Sequence, residues 1–301
     1  MCTRPWQAVI DVGTNTSLLL LARRAPDGAL EVAEDRATIT RLGEGVAATG
    51  ALSTVAIGRT LDALRAYRRA ADKAGATIQA VTTEGVRLAR NPDDFLLPAS
   101  AILGVPVEVI SGAKEAHLSY LSVAREIPGT GPLRVVDIGG ASTELVIGEG
   151  LRVLSAVSHR IGSVRLTERF RCVGLGDRPA AAEIAAMHDA AREALSAQPL
   201  PAQSHLHGLA GTVTTAAALL LGLDTYTSEL VDNSEHSLSV IVELRDRLAS
   251  QTLEERVGPV LERRRADVIV AGLTILLAVM EHCGAQVLVV RDRGLRYALI
   301  T

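Results

Sequence analysis

The feature that most constrains this chain is a pattern it uses twice. Residues 8–10 are a short apolar run that closes on Asp11; a turn of Gly13, Thr14, Asn15 and Thr16 follows, and residues 17–22 are apolar again. The pattern returns in the second half. Residues 133–136 close on Asp137, the turn runs through Gly139, Gly140, Ala141, Ser142 and Thr143, and residues 144–147 follow. Strand, acidic residue, Gly-rich turn, strand is the natural reading of both. Two matching openings point to an internal duplication and so to two lobes of related build. A turn rich in Gly, Thr, Asn and Ser presents backbone N–H groups and hydroxyls in a concave array suited to phosphate. A strand-end carboxylate would repel that phosphate unless a divalent cation, or a water on one, stood between them. Asp11 and Asp137 are therefore candidate cation-side residues, expected to face each other across the cleft between lobes. Taken singly, each reads more readily as an ordinary turn Asp; the matched pair favours the cation.

A third Gly-rich turn, residues 208–215, contains Gly211 and Thr212 and leads into an Ala/Leu-rich helix. A turn between strand and helix places N-terminal amides where an anion can dock, although many such turns serve packing only. Elsewhere the periodicities predict a strand within 30–39, a helix over 54–74, a strand over 78–82, a helix over 92–103 and a strand over 107–110. Ser111 is placed to cap a helix over 112–126. The break at 127–132, with two Pro and two Gly, is the expected boundary between lobes 1–126 and 127–301. In the second lobe, strands are expected near 153–157, 206–209 and 287–289, and helices near 180–197, 213–221, 238–249 and 263–283.

Composition excludes several function classes. Only 2% of the residues are aromatic, which leaves no stacking platform for single-stranded nucleic acid, and the net charge of −3 gives no global field to attract nucleic acid or an anionic membrane. The longest apolar run, 268–280, lies between Asp267 and Glu281 and falls short of the roughly 20 residues of a membrane span. Cys2, Cys172 and Cys283 are far apart, odd in number and without a C-x-x-C, which argues against a disulfide framework or structural zinc. Asp11 interrupts the only early apolar run, so a secretory signal is not expected and a cytoplasmic location is. No G-x-x-x-x-G-K-[ST], G-x-G-x-x-G, H-E-x-x-H or G-x-S-x-G occurs. His205 and His207 alternate on one strand face, where packing is the better reading than ligation.

Seven segments in order then resemble one family. They are residues 9–16, 82–91 (TTEGVRLARN), 109–116 (VISGAKEA), 136–144 (VDIGGASTE), 161–168 (IGSVRLTE), the Gly211–Thr212 turn and 292–296 (DRGLR). The resemblance runs from about residue 8 to 299, essentially the whole chain, which is similar to the exopolyphosphatase/guanosine pentaphosphate phosphohydrolase (Ppx/GppA) family. The resemblance implies the two-lobed actin-like ATPase (ribonuclease-H-like) α/β fold, with the active site in the interdomain cleft. It implies Glu115 as the general base for water and Arg87 as a phosphate contact. Thr14, Asn15, Gly139, Gly140, Ser142, Gly211 and Thr212 match phosphate-loop positions, and Asp137 and Glu144 match positions near the metal. With Asp11, these carboxylates give the expected site for Mg2+ or Mn2+.

The expected activity is hydrolysis of the terminal phosphoanhydride of inorganic polyphosphate, with guanosine pentaphosphate as the close alternative. No nucleic-acid or membrane partner is expected, and a homodimer is among the expected states. Two other readings stay open: a catalytically weak nucleotide- or polyphosphate-binding signalling protein, and a sugar or acetate kinase of the same superfold. Two features depart from the family. Ala141 stands where a third Gly is usual, and a methyl group there would restrict the turn if φ were positive. The chain also ends where longer relatives continue into helical domains, so long polyphosphate tracks built on such domains are not expected.

Overall fold

The computed structural model describes residues 4–127, 129, 131–170, 178–198 and 203–301, and the chain divides into two compact units. In the first, β1 (Gln7–Val12), β2 (Thr16–Arg24) and β3 (Leu30–Ile39) form an antiparallel meander. Their residues alternate or run apolar as half-buried strands should. A short helix α1 (Val46–Thr49) leads to α2 (Thr54–Lys73), which Ser53 caps by accepting the Ala56 N–H. Then come β4 (Thr77–Thr82), the single turn α3 (Glu84–Arg87), α4 (Asp93–Leu103), β5 (Val107–Val109) and α5 (Gly112–Ala124). β4 and β5 add in parallel, giving the sheet order β3-β2-β1-β4-β5. α2 and α4 cover one face, and Ile10, Leu19, Leu64, Tyr67 and Phe95 form its core. The Tyr67 hydroxyl is satisfied inside that core, donating to the Ser17 carbonyl and accepting from the Thr38 hydroxyl, both at 2.8 Å.

The second unit repeats the plan. β6 (Pro132–Ile138), β7 (Thr143–Glu149) and β8 (Arg152–His159) are again an antiparallel meander. They are followed by α6 (Ser163–Phe170), α7 (Ala181–Leu195), β9 (His205–Leu209), α8 (Ala210–Leu220), α9 (Ser228–Val231), β10 (Glu235–Ser237) and α10 (Leu238–Ser250). The run closes with α11 (Leu253–Arg256), α12 (Arg263–Ala266), α13 (Ile269–Cys283), β11 (Val287–Val290) and α14 (Leu295–Ala298). The sheet order is β10-β11-β9-β6-β7-β8. With β6 taken as β1, β9 as β4 and β11 as β5, this is the order of the first sheet with β10 added at the edge, and the parallel and antiparallel pairings match. The duplication read from two turns thus extends through both sheets. α13 is buried along nearly its whole length, and it packs on α7, α10 and β6. Among the described residues no helix is long and apolar enough to cross a membrane.

Two expectations change. Residues 263–283 are not one helix. Val268 sits at φ −107°, ψ −5° and its N–H bonds to the Arg265 carbonyl three residues back, so α12 ends before α13 begins. The unit boundary is not the expected 126/127 either. The units are Met1–Leu118 with Leu295–Thr301, and Ser119–Gly294. The reason lies in α5, one unbroken helix whose second half is bound to the second unit. Ser119 donates to Asp137 Oδ2 at 2.6 Å and the Tyr120 hydroxyl to the Gly150 carbonyl at 2.8 Å. Pro128 and Thr130 of the expected break, like Cys2 and Cys172, lie outside the described residues. The last residues return to the first unit because α14 packs on β1 and β2 and Arg296 grips Asp35 with two nitrogens, at 2.7 to 3.1 Å.

That grip is mostly buried and Tyr297 adds a hydroxyl to the same carboxylate at 2.7 Å. Removing one partner of a desolvated pair leaves the other charge uncompensated. Arg296→Ala is expected to lower unfolding stability by about 2 kcal/mol, read as a lower urea midpoint; a change below about 0.5 kcal/mol would place the pair among ordinary surface contacts.

Candidate active site

The two Gly-rich turns have the same hydrogen-bond closure. The Gly13 N–H donates to the Thr16 carbonyl and the Gly139 N–H to the Ser142 carbonyl, each at 3.0 Å. Asp11 and Asp137 both lie two residues ahead of these glycines, near the ends of β1 and β6. Thr14 is buried in a slot between two glycines: a Cβ on Gly43 would collide with its methyl, and one on Gly85 would stand 2.8 Å from its hydroxyl. Asn15 is half-buried, and its carbonyl accepts the Arg41 N–H at 2.9 Å. Arg41 is one of few non-glycine residues with left-handed backbone, φ 49°, which stores strain beside this turn. In the second turn the carbonyls of Gly139 and Gly140 accept the first N–H groups of α6 at 2.9 to 3.0 Å, and Ser142 is buried. Ala141 has no positive φ, so its methyl costs no backbone strain.

Behind the second turn the strands build a ladder. Asp137 of β6 pairs directly with Glu144 of β7, and Glu144 with Ser158 of β8. Directly opposed residues share a sheet face with Cβ atoms about 5 Å apart. Ser119 donates to Asp137 at 2.6 Å and Ser158 to Glu144 Oε1 at 2.7 Å, so each carboxylate is oriented by a hydroxyl that sequence reasoning did not single out. Glu144 is 1% exposed. Two carboxylates side by side, Glu144 buried and Asp137 half-buried, repel each other, and a divalent cation would relieve that. Among the described residues no group of three or more His, Cys, Asp or Glu could hold a metal by itself. Mg2+ and Mn2+ are hard cations, and Mg2+ characteristically takes one or two carboxylates and completes its shell with water and phosphate oxygens. The pair Asp137 and Glu144 fits that donor set. In the first unit the position opposite Asp11 is Leu18, so Asp11 has no matching acidic neighbour across the strands.

Glu115 lies in the first turn of α5, where Ser111 accepts the Lys114 N–H at 3.2 Å as the expected cap. It is only 8% exposed. A buried carboxylate needs a cation or donors near it, and Arg87 lies 3.4 Å away through Nη1. Arg87 is not held by Glu115 alone: Nη1 also reaches the Ile110 carbonyl, and Nη2 pairs with Glu84 Oε2 at 2.6 Å. The side chain expected to contact phosphate is thus also an internal tie between α3, β5's end and α5. Glu84, buried and unremarkable in sequence, is its tightest ionic partner.

The third turn opens on Ala210, another left-handed non-glycine residue at φ 69°. Gly211 lies under the guanidinium of Arg265, which any Cβ at that position would strike, and Thr212 is seated against Gly272. Burial pushes the Arg265 pKa down, opposed by Glu262 and Tyr226. A desolvated cation over a helix N-terminus is suited to an anion. Arg265 escaped sequence reasoning because it lies in a four-residue helix far along the chain.

A model of the Ppx/GppA phosphatase family matches residues 22–301. Exopolyphosphatase 2 of Mycobacterium tuberculosis is 36% identical over 284 residues, spanning 89% of this chain and 88% of that protein. The crystal structure of the Aquifex aeolicus Ppx/GppA family member matches with a TM-score of 0.81 at 34% identity, over 98% of this chain and 96% of that one. An exopolyphosphatase from Cytophaga hutchinsonii, 26% identical, gives a TM-score of 0.88 over 98% of this chain and 96% of that one. These similarities bear out the actin-like ATPase fold, with a ribonuclease-H-like sheet in each unit.

His207 stands one residue before the third turn, with a buried Nδ1 that has no hydrogen-bond partner. Burial, then the charges of Arg291 and His205, lower its pKa from 6.5 to about 4. The folded state therefore holds it neutral. The stability it contributes is complete above about pH 6.5 and is lost as the pH falls toward 4. In His207→Gln the slope of unfolding free energy against pH should be shallower across that window, by up to one proton, or about 1.4 kcal/mol per pH unit. Urea melts at stepped pH measure it, and an unchanged slope would mean His207 titrates normally.

Proposed function

The chain belongs to the Ppx/GppA phosphatase family, and on that premise and the geometry above we propose that it is an exopolyphosphatase, releasing orthophosphate from the end of inorganic polyphosphate. The class of reaction, phosphoanhydride hydrolysis, follows from the family. The choice of polyphosphate is supported by the name of its 36% identical relative. The single observation that carries the reading is Glu115: a carboxylate with little solvent access, at the first turn of a capped helix, held beside a guanidinium. An exposed helix residue would have none of these.

In this reading the amides of the Gly13–Thr16 and Gly139–Ser142 turns and of Gly211 and Thr212 bind non-bridging phosphate oxygens. Arg265 adds a fixed positive charge at the third turn, and Arg87 adds one beside Glu115. Glu115 accepts the proton of the water that attacks the terminal phosphorus. Asp137 and Glu144, with Asp11 contributing, hold Mg2+ or Mn2+; when bound, that ion supplies neutralising charge for the phosphoryl oxygens and the leaving chain. Preorganised turns cost little reorganisation at the moment of reaction, which is where such charge stabilisation gains its effect.

Glu115→Gln keeps the shape but cannot take a proton at neutral pH. General-base catalysis is worth about 100- to 10,000-fold, and kcat is expected to fall in that range with KM preserved. Orthophosphate release from polyphosphates of defined length, beside a thermal melt of the mutant, measures it; near-normal kcat in a folded mutant removes Glu115 from the mechanism. The same assay run on guanosine pentaphosphate distinguishes the two family substrates. Activity should also vanish in excess chelator and return with Mg2+ or Mn2+, and full turnover in demonstrably metal-free protein would remove the carboxylate ladder from the reaction.

A further inference from the structure

Glu84 has no role in the mechanism above, yet its geometry is specific. Its carboxylate takes Arg87 Nη2 at 2.6 Å, while Glu115 meets Nη1 at 3.4 Å and shares that nitrogen with the Ile110 carbonyl. Two carboxylates compete for one guanidinium, and the nearer is not the one in the first turn of α5. We infer that Glu84 is a positioning residue for the hydrolysis proposed above, a reading on which this inference rests. By holding the far side of Arg87 it restricts the ion pair between Arg87 and Glu115 to one long contact, which leaves Glu115 basic enough to accept a proton from water.

The physical reason is the shape of arginine. A guanidinium left to itself pairs with a carboxylate through two parallel N–H bonds. That arrangement strongly favours the ionised carboxylate and makes it a weaker proton acceptor. Arg87 is kept from it by two restraints of different kinds. Glu84, three residues earlier on the same turn, fixes Nη2. The Ile110 carbonyl fixes Nη1. The backbone between Glu84 and Arg87 has little freedom to shift, because Gly85 lies against Thr14: a Cβ there would stand 2.8 Å from the Thr14 hydroxyl. The turn α3 therefore registers the first phosphate turn and the Arg87–Glu115 pair against one rigid element.

The competing account is that Glu84 only compensates a half-buried arginine. It predicts a loss of stability with no selective effect on turnover. Glu84→Gln keeps the volume and removes the charge, freeing Arg87 to fork onto Glu115. The expected result is a kcat about 10-fold lower with KM within about twofold, since the base weakens while the turns stay in place. Glu84→Asp, which restores the charge, should recover most of the kcat. Because the effect passes through Arg87, Glu84→Gln should cost nothing further in an Arg87→Ala background. Unchanged kcat in folded Glu84→Gln, or a loss that adds in full to that of Arg87→Ala, overturns the inference. Should Glu84→Gln fail to fold, Glu84→Ala takes its place in the same comparison: a lower kcat at constant KM supports the positioning role, and wild-type kcat overturns it. A wild-type chain that releases no orthophosphate overturns the hydrolase reading itself, and this inference falls with it.

Discussion

The structure depends on one closure made twice: a glycine N–H donating across a tight turn to the carbonyl three residues on, at 3.0 Å in both units. That bond joins the first two strands of each sheet, and it sets where the strand-end aspartates fall. It also fixes the register that follows. Once β6 and β7 are joined at Gly139 and Ser142, Asp137 must lie opposite Glu144; the β7–β8 pairing, whose register shifts at Ile147/Gly148, separately brings Ser158 opposite Glu144. A slip of one residue would move every side chain to the other sheet face. The acidic ladder is thus a consequence of turn geometry, with the hydroxyls of Ser119 and Ser158 refining it.

The same closure shows how two related units diverge. In the first, the residue opposite the aspartate is Leu18, and the carboxylates that matter sit on α3 and α5 instead. There an arginine lies between two acids. In the second, two acids stand together with serines as their donors. The first arrangement carries its own counter-charge and suits a group that must exchange protons. The second sets two carboxylates directly opposite each other, a donor set that suits a cation. One backbone plan thereby supports two electrostatic environments, chosen by a handful of side chains.

Much of this was legible in the sequence because the strands and long helices are strongly periodic: β1 to β9 and α2, α4, α5, α7, α8 and α10 lie where the patterns put them, to within a few residues. What escaped has a physical reason in each case. α1, α3, α9, α11, α12 and α14 are four residues long, too short to show a period. The units divide elsewhere than at 126/127 because a Pro- and Gly-rich stretch in a sequence signals only an interruption of regular structure, whereas a division between units depends on what each half of a helix packs against. Glu84 and Arg265 were invisible because their importance is relational: each matters through the one side chain or turn it touches, from a distant or unmarked position. The carboxylates at turn positions were legible because their spacing from a glycine is itself the signal.

The second turn makes a last point about glycine. Ala141 replaces the glycine usual there, and sequence alone makes it the suspect position. Its backbone adopts no positive φ, so the methyl is accommodated without strain. The sterically critical glycine is Gly162, twenty-one residues later and in no turn of its own: a Cβ there would stand 2.5 Å from the Ala141 amide nitrogen and collide with the Gly140 carbonyl. The first N–H groups of α6 must reach the Gly139 and Gly140 carbonyls, and only a residue without a side chain lets the helix start that close. The other turns follow the same rule, with Gly43 and Gly85 behind Thr14 and Gly272 behind Thr212. A phosphate-binding turn has to keep its amides facing outward, so its other side must be braced by backbone in near contact. The glycines that brace it are as much a part of the turn as those within it, and they explain how a loop can lose one of its own glycines and keep its shape.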